Sequence, residues 1–220
     1  MQQSHAQVRK LNLAGITIQR SRLHGADLTN ANLVGSDLSE ADLSEAKLSK
    51  AILLGAKLTK TYLVGADLSE AHLRGANLCE ANLRGAKLTK VNLFKANLRE
   101  ARLTRANLRE AHLEAVDLRG ANLEKSNLSK HNLRSHPDPN NVARNLAVLA
   151  TEKVYKDSFP GTNLEKANLE DANLEEAELS GADLRETDLE GVNLEGVRLV
   201  TAAFDNSQSG YLAKLIDADD

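Results

Sequence analysis

From Leu23 to Leu133 every fifth residue is leucine, and the residue two places before each leucine is nearly always small. Counting Leu13 and Ile18, the apolar centre recurs 25 times; it resumes at Leu164 and runs nine more times to Phe204, giving 34 pentapeptides. Ala26, Ala31, Ala41, Ala66, Ala106 and Ala167 hold the small position, with Ser36, Thr61, Val91 and Val116 as variants. The other three positions of each unit are left for polar and charged side chains. A period of five matches neither the 3.6 of a helix nor the 2.0 of a strand, so neither element alone keeps the leucines on one side. A strict short period makes the chain one repeated structural unit, wound in some other way.

The repeated pentapeptides themselves, Ala-Asp-Leu-Ser-Glu at 41–45 and 66–70 and Ala-Asn-Leu-Arg-Glu at 96–100 and 106–110, resemble the pentapeptide-repeat family. The near-uniform leucine centres are most similar in style to its cyanobacterial members. The resemblance implies an all-β solenoid, a right-handed quadrilateral parallel β-helix. Four pentapeptides make one square coil, with the centre and the small residue before it pointing inward.

The charges agree with a coil of twenty. Residues twenty apart then stack about 4.8 Å apart, where like charges are disfavoured. Lys50, Glu70, Lys90, Glu110 and Lys130 alternate along one outward column, Arg20, Glu40, Lys60 and Glu80 along a second, and Asp27, Lys47, Asp67 and Lys87 along a third. Eleven of the thirteen glycines sit two places after a centre, where the chain turns a corner. Positive φ is cheapest for glycine. Because most corners carry other residues, positive φ is not expected to be obligatory there.

The pattern divides the chain into four parts. Residues 1–133 form a first β-helix block with an N-terminal cap, in which Leu11 and Ile16 replace the usual alanine. Residues 134–158 leave the repeat after His131 enters a small inward position. His136-Pro137-Asp138-Pro139 stops the path, and Val142, Leu146, Leu149 and Ala150 share one helical face, which predicts a short helix at about 141–154. Residues 159–206 form a second block, with Phe159 as an added centre, and 207–220 form a C-terminal helix and tail. That helix carries Tyr211, Leu212, Leu215 and Ile216 and either closes the open end or joins two rods as a homodimer.

A core filled by leucine and alanine leaves no concave site with converging polar groups, so an enzyme is not expected. His72 and His112 lie two coils apart on one face, too far to share a metal. No phosphate-binding loop, cysteine cluster or nucleophile motif occurs; no catalytic residue, metal or cofactor is expected. Cys79 is single and outward. No apolar run approaches 18 residues, and the polar opening lacks a secretory signal, which predicts a cytoplasmic protein with no membrane contact.

Function then falls to the exterior. Residues 1–133 carry 20 basic and 13 acidic side chains, net +7, and residues 134–220 carry 8 and 18, net −10, which sums to the −3 of the chain. In the acidic block the alternation fails: Glu170 stacks on Glu190 and Glu175 on Glu195. In the basic block Val34, Leu54 and Phe94 share an outward column with Ile52 beside it. These eight residues form the candidate partner surface. Arg99 over Arg119 and Arg105 over Lys125 make a basic strip, but no aromatic platform accompanies it, so direct nucleic-acid binding is not expected. The leading expectation is a rigid, regulatory protein–protein interaction module. The alternative, implied by the resemblance, is a DNA mimic that binds type II topoisomerases and protects them from quinolones or toxins.

Overall fold

A computed structural model of the chain describes residues 11–129 and, within 162–205, all but Glu176, Glu178, Ser180, Arg198, Val200 and Thr201. The expected 141–154 helix, the C-terminal helix with Tyr211, Leu212, Leu215 and Ile216, and the N-terminal cap before Leu11 lie outside the described residues.

The coil of twenty is present. Parallel single-residue bridges join each position before a centre to the one twenty residues on: Asn12 to Asn32, Thr17 to Asp37, Arg22 to Asp42 and Asp27 to Lys47 open four faces. The first face continues through Ile52, His72, Asn92 and His112. At each rung the centre amide donates to the next coil, as Leu43 does to Tyr62 O at 2.8 Å, and the amide before the centre donates to the previous one, as Asp42 does to Ser21 O at 2.9 Å. Backbone polarity is thereby satisfied along the axis, coil against coil.

The interior is the leucine and small-residue columns. Every centre from Leu33 to Leu128 is at most 1% exposed, and the alanines between them are equally closed. Full burial of a leucine contributes roughly 1.5–3 kcal/mol, so stability accumulates coil by coil. Two of the hydroxyls that replace alanine are answered by carbonyls, Ser36 Oγ donating to Leu33 O at 2.8 Å and Thr61 Oγ1 to Leu38 O at 2.9 Å, whereas Ser21 Oγ and Ser126 Oγ are buried without a partner among the described residues. Val91 and Val116 fit without exposure.

The corners correct one expectation. The residue two after the centre has positive φ whether or not it is glycine, from Arg20 at 56° through Glu70 at 58° to Glu186 at 56°. The amide of the following small residue closes the turn onto the centre carbonyl, as Ala46 N does on Leu43 O at 3.0 Å. A four-residue turn whose third residue alone has positive φ is type II. The left-handed conformation is imposed at every corner because the four-residue closure and the two flanking ladders leave the chain no other path. The strain at non-glycine corners is offset by the leucine core and by the asparagine and aspartate caps described below.

The second block stacks coaxially on the first. Asp117 bridges Asn163, Asn122 bridges Asn168 and Asn127 bridges Asn173, and Asn163 in turn bridges Asp183. From 117 to 163 is 46 residues, 26 more than one coil, so an insertion of 26 residues is spliced into the spiral without moving the faces out of line. Thr162 Oγ1 donates to Leu113 O at 2.6 Å and helps seat the returning chain.

Candidate functional site

The position before the centre explains itself through a hydrogen bond that the sequence reading missed. Its Asn or Asp Oδ1 accepts the backbone amide two residues on, from Glu170 N to Asn168 at 2.8 Å to Val34 N on Asn32 at 3.3 Å. This Asx cap fixes the first half of each turn. The recurrent Ala-(Asp/Asn)-Leu signal was visible; its reason required knowing that a turn follows immediately. The Asp42 carboxyl is held below its ordinary range by the Ser44 amide and then the Ser44 hydroxyl. The Asp37 carboxyl is lowered by the Ser39 hydroxyl and the Gln19 amide, each at 2.7 Å.

The expected charge ladders are partly realised as contacts. Arg20 meets Glu40 at 2.8 Å, Lys50 meets Glu70 at 3.7 Å, Lys60 meets Glu80 at 3.5 Å and Lys90 meets Glu110 at 3.5 Å. In each the cation is in the earlier coil and reaches forward. The basic strip is less bare than its sequence implied. Arg119 forks onto Asp117 at 2.6 Å and 2.8 Å, and Lys125 meets Glu124 at 2.9 Å and Asp171 at 3.7 Å.

The acidic candidates stand in register. Bridges through Asn122, Asn168 and Asp188 set Glu124, Glu170 and Glu190 one above another on one corner. The bridge of Asn173 to Asn193 sets Glu175 against Glu195. Glu170 and Glu175 are half-buried; Glu190 and Glu195 are exposed. Their backbone amides are capped by Asn168, Asn173, Asp188 and Asn193, so the side chains are free of any role in turning the chain.

The apolar candidates occupy the corner after the first face. Val34 and Leu54 are exposed at 37% and 38%, Ile52 is half-buried on the face beside them, and Phe94 is half-buried beneath Arg74, whose guanidinium carbon sits 5.0 Å from the ring centre. Beside this column a Cβ added at Gly15, Gly35, Gly55 or Gly75 would meet nothing within 4 Å. The corner is a ridge with Val34, Leu54 and Phe94 on it, opposite the corner of Glu170 and Glu190, next to that of Glu175 and Glu195, and at least two coils earlier along the axis. The structure does not bring the two candidate surfaces together. Tyr62, exposed at 53%, is a further aromatic on the third face that sequence reading passed over; it stands where Asp, Asn or Lys is usual.

Comparison with known proteins agrees with the geometry. The family model for pentapeptide repeats matches in 8 copies across residues 21–134 and 159–199. The chain belongs to the pentapeptide repeat family. Members of this family form the right-handed quadrilateral β-helix, and the twenty-residue bridges are its signature here. Among solved structures, HetL of the cyanobacterium Nostoc sp. strain PCC 7120, described as involved in heterocyst differentiation regulation, is 31% identical. The match covers 88% of this chain and 89% of HetL, with a TM-score of 0.46. A second pentapeptide repeat protein of the same Nostoc is 39% identical over 44% of this chain and 77% of its own, with a TM-score of 0.33. QnrB1, a plasmid-mediated fluoroquinolone resistance protein, is 20% identical over 94% of this chain and 96% of its own, with a TM-score of 0.41. No curated protein matches the sequence. No helix among the described residues is long and apolar enough to cross a membrane.

Proposed function

We propose that this pentapeptide repeat protein is a non-enzymatic, cytoplasmic binding rod that regulates a protein partner through its patterned exterior. The observation that carries this reading is the break in charge alternation at Glu170 over Glu190 and Glu175 over Glu195. Elsewhere the outward columns mostly alternate charge, the strip of Arg99 over Arg119 and Arg105 over Lys125 excepted, and the interior of the acidic coils is the same leucine and alanine as in the basic ones. Stacked like charges therefore contribute nothing to the fold and cost stability. Their use is to meet a partner surface rich in arginine and lysine, with the Val34, Ile52, Leu54 and Phe94 ridge as a second, apolar contact. The helix bearing Tyr211, Leu212, Leu215 and Ile216 is a further docking or dimer element on this reading.

The second reading, a DNA mimic acting on a type II topoisomerase, is favoured by the same glutamate columns, which repeat negative charge at regular spacing. The basic first block opposes it, since a mimic needs acidity along much of its length. A supercoiling assay with purified gyrase and a quinolone separates the two. The binding-rod reading expects no protection; protection at low micromolar concentration establishes the mimic instead.

A further inference from the structure

One of the two glutamate stacks has a complement on its own chain. Glu170 and Glu190 stand on the corner that follows the third face, the face bridged from Asn82 through Arg102, Asn122 and Asn168 to Asp188. Two to four coils earlier the same corner carries Arg84 and Arg105, with Arg102 on the face beside them. All three are exposed, and among the described residues none of them meets a carboxylate within 4 Å. The sign of the surface turns over around the coil of Asn122. Residues 99–105 hold Arg99, Arg102 and Arg105 against Glu100, net +2, and residues 165–171 hold Lys166 against Glu165, Glu170 and Asp171, net −2. One coil farther out, 79–85 sets Arg84 against Glu80 and is neutral, and 185–191 sets Arg185 against Glu186, Asp188 and Glu190, net −2. Ser129 ends the fourth face and Thr162 opens the second, so the splice lies across the square from the third.

We propose that two copies of the rod pair antiparallel along this third face, about a two-fold axis at the level of Asn122. The inference rests on the reading that the stacked glutamates meet a basic surface, and it names that surface as the Arg84, Arg102 and Arg105 strip of a second copy. A two-fold contact is self-complementary, so every match occurs twice. Counting rungs outward from Asn122, Arg102 comes opposite Asn168 and Asn82 opposite Asp188. On the corner that follows, Arg84 comes opposite Glu190, and Arg105 opposite Asp171 with Glu170 beside it. On the corner that precedes, Arg99 comes opposite Glu165 and Glu100 opposite Lys166.

Like charges meet only where Glu80 faces Glu186 or a residue at the axis faces its own copy. There each already has a partner within its chain: Glu80 with Lys60, Glu186 with Lys166, Arg119 with Asp117, and Lys125 with Glu124. The charges also select this register. A slip of one rung sets Arg105 against Lys125 in one direction and Glu124 against Glu170 in the other, and a parallel pair would set Arg102 on Arg102 and Asp188 on Asp188. The second stack, Glu175 on Glu195, lies on the next corner and stays outside the contact.

Sedimentation of the full chain from about 1 to 100 μM, at 50 and 500 mM NaCl, tests the pairing. Mass should rise from the 23.8 kDa of one chain to twice that and stop, and high salt should weaken the association. Arg84→Glu/Arg105→Glu and Asp171→Lys/Glu190→Lys, all at exposed side chains, should each weaken it at least about tenfold, because like charges then meet twice. Mixing the two variants restores every match, so the mixture should pair 1:1 with affinity near the parent's. The four changes in one chain should likewise pair with themselves. Cys79 is the chain's one cysteine and edges the contact four rungs from its own copy, so nitroxide labels there should lie about 20–25 Å apart. A chain that stays at 23.8 kDa up to 100 μM overturns the proposal. So do labels beyond about 40 Å, which a pair joined through its C-terminal segments would give, or a mixture that pairs no more tightly than its components. Glu170→Gln/Glu190→Gln, melted at a dilution where the chain is monomeric, tells that failure from failure of the underlying reading. A raised midpoint without pairing removes the second copy and leaves the glutamates to another basic partner, whereas a lowered midpoint removes the binding reading with it.

Discussion

The coils of 11–129 and those of 162–205 share one interior and differ outside. Leu83 and Ala81 in the first are as closed as Leu174 and Ala172 in the second, all at 0–1% exposure. Outside, the first region links coils by Arg20–Glu40, Lys50–Glu70, Lys60–Glu80 and Lys90–Glu110, whereas the second stacks Glu170 on Glu190 and Glu175 on Glu195 and retains Lys166–Glu186 at 3.7 Å. An identical core under opposite surfaces means that the fold does not choose the surface. The fold fixes two positions in five, the centre and the small residue, and favours a capping Asn or Asp at a third, where Ile52, Tyr62, His72 and Arg102 are also accommodated. At the two corner positions one region can differ from the other, at the cost of electrostatics and, at the second position, of the positive φ that favours glycine.

The strongest way to break this comparison is to attack what the regions have in common. Leu83→Lys buries an unpaired charge in the middle of the first region, a loss of several kcal/mol. The same change at Leu194, which is only partly buried, should cost much less because the ammonium reaches water along a side chain that is already part-exposed. Thermal denaturation followed by circular dichroism should show Leu83→Lys without a cooperative transition and Leu194→Lys with a transition lowered by only a few degrees. Equal losses would mean that the last coil is as closed as the middle, against its observed exposure.

The next test addresses the difference itself. Replacing Glu170, Glu175, Glu190 and Glu195 together by glutamine removes two like-charge stacks and leaves the backbone caps of Asn168, Asn173, Asp188 and Asn193 in place. The midpoint of thermal unfolding should rise by a few degrees at low salt and by less at high salt. The matching change in the first region, Glu70 and Glu110 to glutamine, should lower it slightly, because each of those carboxylates faces a lysine. A fall in stability on neutralising the second-region glutamates would remove the argument that they are a concession to binding.

Most of this architecture was legible because the five-residue period is strict within blocks of 25 and nine units, so a residue's place in the coil follows by counting inside each block. The pairing of Asp27 with Lys47 across a coil, and of Glu170 with Glu190, followed from the same count. Three things were not legible. The positive φ at Glu40, Lys60 or Glu80 is a property of the closed turn, and the identity of a single residue does not report it when the global winding overrides local preference. The forward reach of lysine over backward reach depends on how each side chain leaves the corner, which a column of alternating signs leaves symmetric. Whether the second block stayed on the axis was also open, because 31 residues from Leu133 to Leu164 is not a multiple of five; the bridge of Asp117 to Asn163 decides it.

The smallest effect is the pH dependence of the caps, and it again distinguishes the role of a side chain from its charge. Ser39 and Gln19 hold the Asp37 carboxyl below its ordinary range, the Ser44 amide and hydroxyl lower Asp42, and the Arg119 guanidinium lowers Asp117. A carboxyl lowered in the folded state contributes stability that is present above its unfolded pKa, about 3.9, and is lost as pH falls through the lower folded value. The transition midpoint should therefore decline from pH 5 toward pH 3. In Asp37→Asn/Asp42→Asn the amide oxygen still accepts the Ser39 and Ser44 backbone amides, as Asn97 does for Arg99 at 3.1 Å. The variant should match the parent at low pH, lie slightly below it near neutrality, and show a shallower slope between. An unchanged slope would place the acid sensitivity of the rod elsewhere than in its corner caps, and a collapse at neutral pH would mean that the cap works through its charge rather than through a single well-placed acceptor.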